Sequence, residues 1–201
     1  MSNEAIAAAS ILVLTGCATA KETRVTMPAV SSDLKPAVVA LKDRLGAAQG
    51  VAETTNKAEV KLLSNQHNQA VTRGFTLAQD EPERAGGTNL GPTPTDFFIA
   101  SVGFCENVVF ARYAALLELT IDSLETSVAG AWDMKGLFGI DGATPAFKTI
   151  TVETRVATRD PAAKVAEAAR LTHERCPIHA TLRKSVEMIF KLSVNGQPVD
   201  L

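Results

Sequence analysis

From residue 94 to about residue 119 the chain reads PTDFFIASVGFCENVVFARYAALLEL, apolar on nearly every helical face. Phe98, Val102, Cys105, Val109 and Leu116 recur at helical spacing, while Phe97, Ile99, Phe104, Val108 and Phe110 fill other faces. A helix apolar all round is a helix buried all round. Thr93 is placed to cap it and Pro94 suits its first position. Asp96 falls in the first turn, where the helix dipole favours a carboxylate. Upstream, LKPAVVALKDRLGAAQG carries an apolar stripe at Val38, Val39, Leu41 and Leu45. It predicts a helix over about 33–49, opened by Ser32 or Asp33 and ended by Gly46 or Gly50.

Elsewhere the period shortens to two. KAEVKLLS and NQAVTRGFTLAQ, between 57 and 79, predict two β segments joined by a polar turn around 65–68. DEPERAGGTNLGPT, residues 80–93, is loop by its Gly, Pro and Asp content. TIDSLETSVAGAWD and FKTITVETRVATR predict strands, with LFGIDGATPA as a long hairpin loop between them. Asp160 and Pro161 open a further helix, PAAKVAEAARLTHER, which Cys176 ends. Pro177 then opens a second helical turn with Cys176 at its N-cap. SVEMIFKLSV is a strand, followed by an Asn195–Gly196 turn and a tail. This order predicts an α+β fold with a largely antiparallel sheet and a long buried central helix. One small sheet cannot cover that helix, so the expectation is an intertwined homodimer whose strands enclose both central helices.

Composition adds limits. With 201 residues, the chain accommodates one domain at 51–201 behind an N-terminal extension at 1–50. Hydrophobic residues make up 46% and charged residues 21%, enough for a core. A net charge of −2 with scattered Lys and Arg gives no footprint for nucleic acid. Residues 21–33 read as a linker. Before them, LTGC at 14–17 has the form of a lipoprotein cleavage box that would leave Cys17 as a lipid-bearing residue. The leading MSNE, however, lacks the positive charge of a signal segment. The expectation is therefore a cytoplasmic protein, with a lipid-anchored envelope protein as the alternative.

Cys17, Cys105 and Cys176 are too few for a disulfide scaffold and lack zinc-ligand spacing. They suit a reducing compartment with one working pair and one spare. A thiol reacts as its thiolate, and an apolar surrounding favours the neutral form, so Cys105 needs a nearby cation to be reactive. Glu106, directly after it, opposes thiolate formation wherever it faces the sulfur. His173 and His179 flank Cys176, each as a tuning group or a solvated surface histidine. With a fourth ligand they outline a zinc site, but no metal is expected. On these residues alone the cysteines read either as inert core thiols or as a redox pair.

The block FTLAQDEPERAGGTNLGPTPTDFFIASVGFC resembles the signature of the OsmC/Ohr family of thiol-dependent peroxidases. There an acidic–Pro, Gly-Gly, Gly-Pro loop leads into a helix ending in the reactive cysteine. HERCPIHATL is similar to that family's second-cysteine segment, and the resemblance spans about 57–193. It implies that Cys105 attacks a hydroperoxide and becomes a sulfenic acid, and that Cys176 condenses with it to a disulfide. A thiol reductant, for example a dithiol such as a lipoyl group, restores the pair, with no bound cofactor. Phe97, Phe98, Phe104 and Phe110 are candidate walls of a pocket for organic hydroperoxides. The family's activating arginine, held by a glutamate ten positions before the cysteine, has no motif-fixed counterpart; Arg73 and Arg84 are the candidates. Thr95 occupies the glutamate position, with Asp96 one residue later. That departure keeps a second reading open, a non-catalytic small-molecule binding protein on the same scaffold.

Overall fold

A computed structural model describes residues 28–50 and 52–201. The expectations for segment 1–17, for Cys17 and for most of the linker lie outside these residues. Helix α1, Leu34–Ala47, forms from the stripe described above, but only Val38 of it is buried. It rests on the long central helix, α2.

Three strands follow, β1 (Glu59–Ser64), β2 (His67–Thr72) and β3 (Phe75–Gln79), paired antiparallel in that order. The sequence predicts two segments here, and the second is split by a turn. Arg73 and Gly74 both take left-handed backbone, φ 48° and 84°, the geometry of a two-residue hairpin turn. Arginine is seldom found in that conformation, so nothing in NQAVTRGFTLAQ announces the break. Val60, Ala70 and Leu77 are register partners and make one apolar row across this sheet, which packs chiefly within itself.

The loop at 80–93 is tightly built. Asp80 is buried, and its carboxylate accepts the amides of Glu81 (2.8 Å), Thr88 (2.9 Å) and Leu90 (3.2 Å) and the Thr88 hydroxyl (2.6 Å). The Thr88 hydroxyl, foremost, and these amides hold its pKa down at about 2. Gly91 is required by close approach: a Cβ there would stand 2.5 Å from the Ala78 carbonyl oxygen. The loop thus delivers the chain to Thr93 in a fixed direction.

Helix α2 runs Pro94–Leu116 and starts with a capping box. The Thr93 hydroxyl accepts the Asp96 amide (3.2 Å), and the Asp96 carboxylate accepts the Thr93 amide (2.9 Å). Beyond it, β4 (Ile121–Ala131) pairs antiparallel with β5 (Thr149–Thr158). Helices α3 (Ala162–Arg175) and α4 (Pro177–Leu182) then lead to β6 (Glu187–Val194), which closes on β7 (Gln197–Val199). The Asn195–Gly196 turn forms as expected, both residues having positive φ. The second sheet has the order β4-β5-β6-β7. Pairing is antiparallel throughout except between β5 and β6, which are parallel. The helical crossover through α3 and α4 carries the chain from the Thr158 end of β5 back to the opposite end of the sheet, where Glu187 pairs beside Thr149, and parallel pairing follows.

Two cores result. In one, Phe110 and Ala114 of α2 meet Val165, Ala168 and Ala169 of α3 over Ile121, Val156 and Leu192 of the sheet. In the other, Val102 packs on Ile150 and Val152, with Phe98, Phe147, Ile178 and Phe190 around them. Each fully buried large side chain contributes about 1.5–3 kcal/mol. Burial along β5 alternates residue by residue, as a one-sided sheet requires. The described residues do not cover the central helix all round: Phe104 is 69% exposed and Val108 51%.

Candidate functional site: a cysteine pair beside a buried glutamate

Cys105 sits in the middle of α2, and Cys176 occupies the corner where α3 ends and α4 begins. Pro177 makes that corner. It starts α4 well but has no amide to continue α3, so the chain bends at Cys176. The Cys176 amide still donates to Thr172 O at 2.8 Å, and its carbonyl accepts from the Ala180 amide at 2.9 Å. Although 71 positions apart, the two cysteines form a disulfide with Cα atoms 6.3 Å from each other. Cys176 is fully buried and Cys105 partly so. The bond therefore ties the central helix to the α3–α4 corner.

A second linkage runs alongside it. Glu106 is wholly buried and reaches the same corner. Its Oε1 accepts the Thr154 hydroxyl of β5 at 3.1 Å and lies 3.3 Å from His173 Nε2. Its Oε2 lies 3.7 Å from His179 Nδ1, too far for a hydrogen bond; among the described residues neither this oxygen nor either ring nitrogen of His179 has a hydrogen-bond partner. Phe190 of β6 stacks on His173 with ring centroids 3.8 Å apart and stands 5.3 Å from His179. Both histidines are buried, not solvated surface groups. Burial pulls the His179 pKa below its ordinary value; Glu106 and the nearby Val102 backbone carbonyl oppose this, while His173 and Arg183 add to it.

The remaining residues singled out in the sequence are dispersed. Asp96 is exposed and engaged in the α2 cap, also accepting the Thr93 hydroxyl at 2.8 Å. The Thr95 hydroxyl lies 2.9 Å from that of Thr93. Arg84 is exposed on the loop, where it lines a shallow depression with Asp96. Arg73 is exposed in the β2–β3 turn, its guanidinium 5.8 Å from the Phe75 ring. Phe98 stacks on Phe147 (5.1 Å) in the second core, Phe110 is buried in the first, Phe97 is half-buried and Phe104 faces outward. At 100° per residue, positions 98, 104 and 110 point three ways from one helix.

With this geometry in view, likeness to known proteins can be stated. A family model of OsmC-like proteins matches residues 87–191, just over half of the chain and inclusive of both cysteines. The chain belongs to the OsmC family. No curated protein sequence matches it. Among solved structures, an OsmC-like protein of Mycoplasma pneumoniae superposes with TM-score 0.62 at 16% identity, covering 71% of this chain and 98% of the other. An organic hydroperoxide resistance protein OsmC of Legionella pneumophila gives TM-score 0.54 at 16% identity, covering 72% and 100%. An OsmC-like protein of Vibrio cholerae gives 0.59 at 12%, covering 70% and 100%. At such identities the superpositions speak for the OsmC fold alone. Helix α1 and the sheet β1–β3 precede the matched residues.

The Glu106–histidine cluster was legible in one respect. Between Asp96 and Glu118 only Glu106 interrupts the apolar run with negative charge. A charge in a helix with no polar face must be paired inside the fold. Its partners belong to another segment, and no spacing within either segment relates them.

Proposed function

We propose that this chain is a thiol-dependent peroxidase that reduces organic hydroperoxides through Cys105 and Cys176. The observation that carries this is the disulfide joining two distant cysteines on opposed elements. Membership of the OsmC family supports it, and a structural neighbour is named for organic hydroperoxide resistance.

The chemistry balances as follows. The Cys105 thiolate attacks the distal oxygen of the hydroperoxide, the O–O bond breaks, and the sulfur gains the oxygen as a sulfenic acid. The leaving alkoxide takes a proton and departs as the alcohol. The Cys176 thiol then displaces water from the sulfenic acid, forming the disulfide. An external dithiol, of which a lipoyl group is one example, reduces that bond by thiol–disulfide exchange and is itself oxidised. No bound cofactor takes part. Arg84 and Arg73 are the proposed sources of positive charge for thiol activation, with Asp96 as the carboxylate.

The reading includes a homodimer. It is supported by the uncovered face of α2 at Phe104 and Val108, and by exposed Val60, Leu62 and Leu77 on β1–β3. It also places the protein in the cytoplasm; intact mass of protein from its native host tests the lipid-anchored alternative.

The test is consumption of cumene hydroperoxide with dihydrolipoamide or dithiothreitol as electron donor. The wild type should turn over repeatedly and Cys105→Ser should not. Cys176→Ser should complete one turnover and accumulate a sulfenic acid that dimedone traps. Unchanged multi-turnover rates in both variants would sink the scheme. Engagement of Asp96 in a cap and the exposure of both arginines favour the second reading, a non-catalytic binding protein. A wild type that consumes no hydroperoxide above buffer would establish that reading over the first.

A further inference from the structure

Between α1, the second half of α2 and the end of α3 lies a groove of about 480 Å³. Its floor is aliphatic, made by Val38 and Leu41 of α1, Val109 and Leu116 of α2 and Leu171 of α3. Among the described residues, the charged ones lining it are Lys42, Arg112 and Arg175, with no carboxylate. This is contrary to the chain at large, in which 22 acidic residues outnumber 20 basic ones. Among the described residues neither Lys42 nor Arg112 forms a salt bridge. Arg175 is occupied in part. It donates to the Tyr113 hydroxyl at 3.2 Å and lies 5.5 Å from that ring, while the Glu174 carboxylate is near enough to act on it electrostatically.

We propose that this groove is a binding site for a single-chain aliphatic carboxylate. Three features of the lining specify that chemistry. The floor is saturated hydrocarbon, suited to an alkyl tail and offering no row of polar partners. The rim carries cations of one sign, including an uncommitted guanidinium able to hold a carboxylate by two parallel N–H···O bonds. The volume is within the range of small-molecule sites and is open along one side, as an elongated ligand requires. Helix α1, which supplies one wall, lies before the residues matched to the OsmC family, while the walls from α2 and α3 lie within them. The end of the groove touches Pro177, the residue after Cys176. The inference does not rest on the peroxidase reading, because the binding it describes needs neither thiol nor peroxide.

The chain contains one tyrosine, Tyr113, in the wall of the groove. Full-length protein labelled with 3-fluorotyrosine therefore has a single ¹⁹F reporter at the site. Sodium dodecanoate, below its micelle concentration, should shift that resonance saturably, with a calorimetric isotherm to match. Dodecyltrimethylammonium at equal concentration should do neither. Arg112→Glu should weaken dodecanoate binding by about tenfold or more, through loss of a bidentate partner and repulsion by its replacement. Lys42→Glu, on an exposed position remote from the core, should weaken it in the same direction, and Leu41→Trp should fill the floor and block uptake. Equal binding of the ammonium amphiphile would overturn the proposal, as would dodecanoate affinity indifferent to Lys42→Glu and Leu41→Trp. So would sedimentation with phosphatidylglycerol vesicles in the absence of monomer uptake. A change of oligomeric state in the groove variants without any dodecanoate binding would assign the face to a second copy of the chain instead.

Discussion

Glu106, one residue after Cys105, lies 3.3 Å from His173, three residues before Cys176. The pair joins the elements that the disulfide joins, α2 and the end of α3, so two linkages of different chemistry span one interface. One is broken by reductant and the other is not. After reduction, the carboxylate–imidazole contact and the Thr154 hydroxyl still tether α2 at the position of the cysteines.

Glu106→Ala should therefore cost roughly 1–3 kcal/mol, the penalty for leaving a buried hydrogen-bonding group without its partner. Urea unfolding of the oxidised and the dithiothreitol-reduced protein measures this. The loss should be greater for the reduced form, because there no covalent bond shares the interface. Equal small losses in both forms would remove the tethering role.

His179 gives stability a pH dependence of known sign. Burial lowers its pKa in the folded state, so below about pH 6.5 the unfolded chain binds a proton that the folded chain refuses. This contribution is intact above pH 6.5 and is lost as pH falls toward the depressed folded value. Besides burial and the Val102 backbone, the titratable and charged groups acting on His179 are Glu106 on α2, His173 on α3 and Arg183 just after α4. Urea midpoints at pH 8 and pH 5 should differ more in the wild type than in His179→Leu, which has nothing to protonate there. A wild-type midpoint that rises on acidification would contradict the assignment.

Asp80 acts in a lower window. Its folded pKa of about 2 lies below the ordinary 3.8, so its anchoring of the 80–93 loop is complete above about pH 4 and fades as pH falls toward 2. Asp80→Asn should reproduce that loss at neutral pH. Hydrogen exchange reads it directly: the Thr88 and Leu90 amides, both donors to this carboxylate, should exchange faster in the variant while β5 is unaffected.

What could be read in advance divides by range along the chain. The Thr93–Asp96 cap, the Asn195–Gly196 turn and the bend at Cys176–Pro177 each depend on residues within four positions, and all appear as their local chemistry dictates. The Arg73–Gly74 turn escaped because its first residue is a poor left-handed former, held there by pairing on both sides. Asp80 read as one more polar loop residue, since its donors at 88 and 90 follow no repeating pattern. The order strand, helix, strand around α3 already implied the parallel β5–β6 pair, though composition did not. For the site, the motifs marked the two cysteines, whereas the meeting of Glu106 with His173 and His179, and of both histidines with Phe190, emerges only when α2, α3, α4 and β6 come together.

The exposed face of α2 yields a final expectation. Phe104 and Val108 are one helical turn apart and both largely exposed, on the helix that carries Cys105. Burying a phenylalanine of this kind contributes about 1.5–3 kcal/mol, and an apolar face on a core helix is ordinarily covered in the working assembly. If a second copy of the chain covers it, Phe104→Glu places a charge in that interface and should convert a dimer to a monomer. Light scattering coupled to size exclusion gives the mass of each form. The monomer should keep its intrachain core, because Phe104 belongs to neither core cluster, so its far-ultraviolet dichroism should match the wild type. A wild type that is monomeric at micromolar concentration would end this account, since the substitution would then have no interface to break.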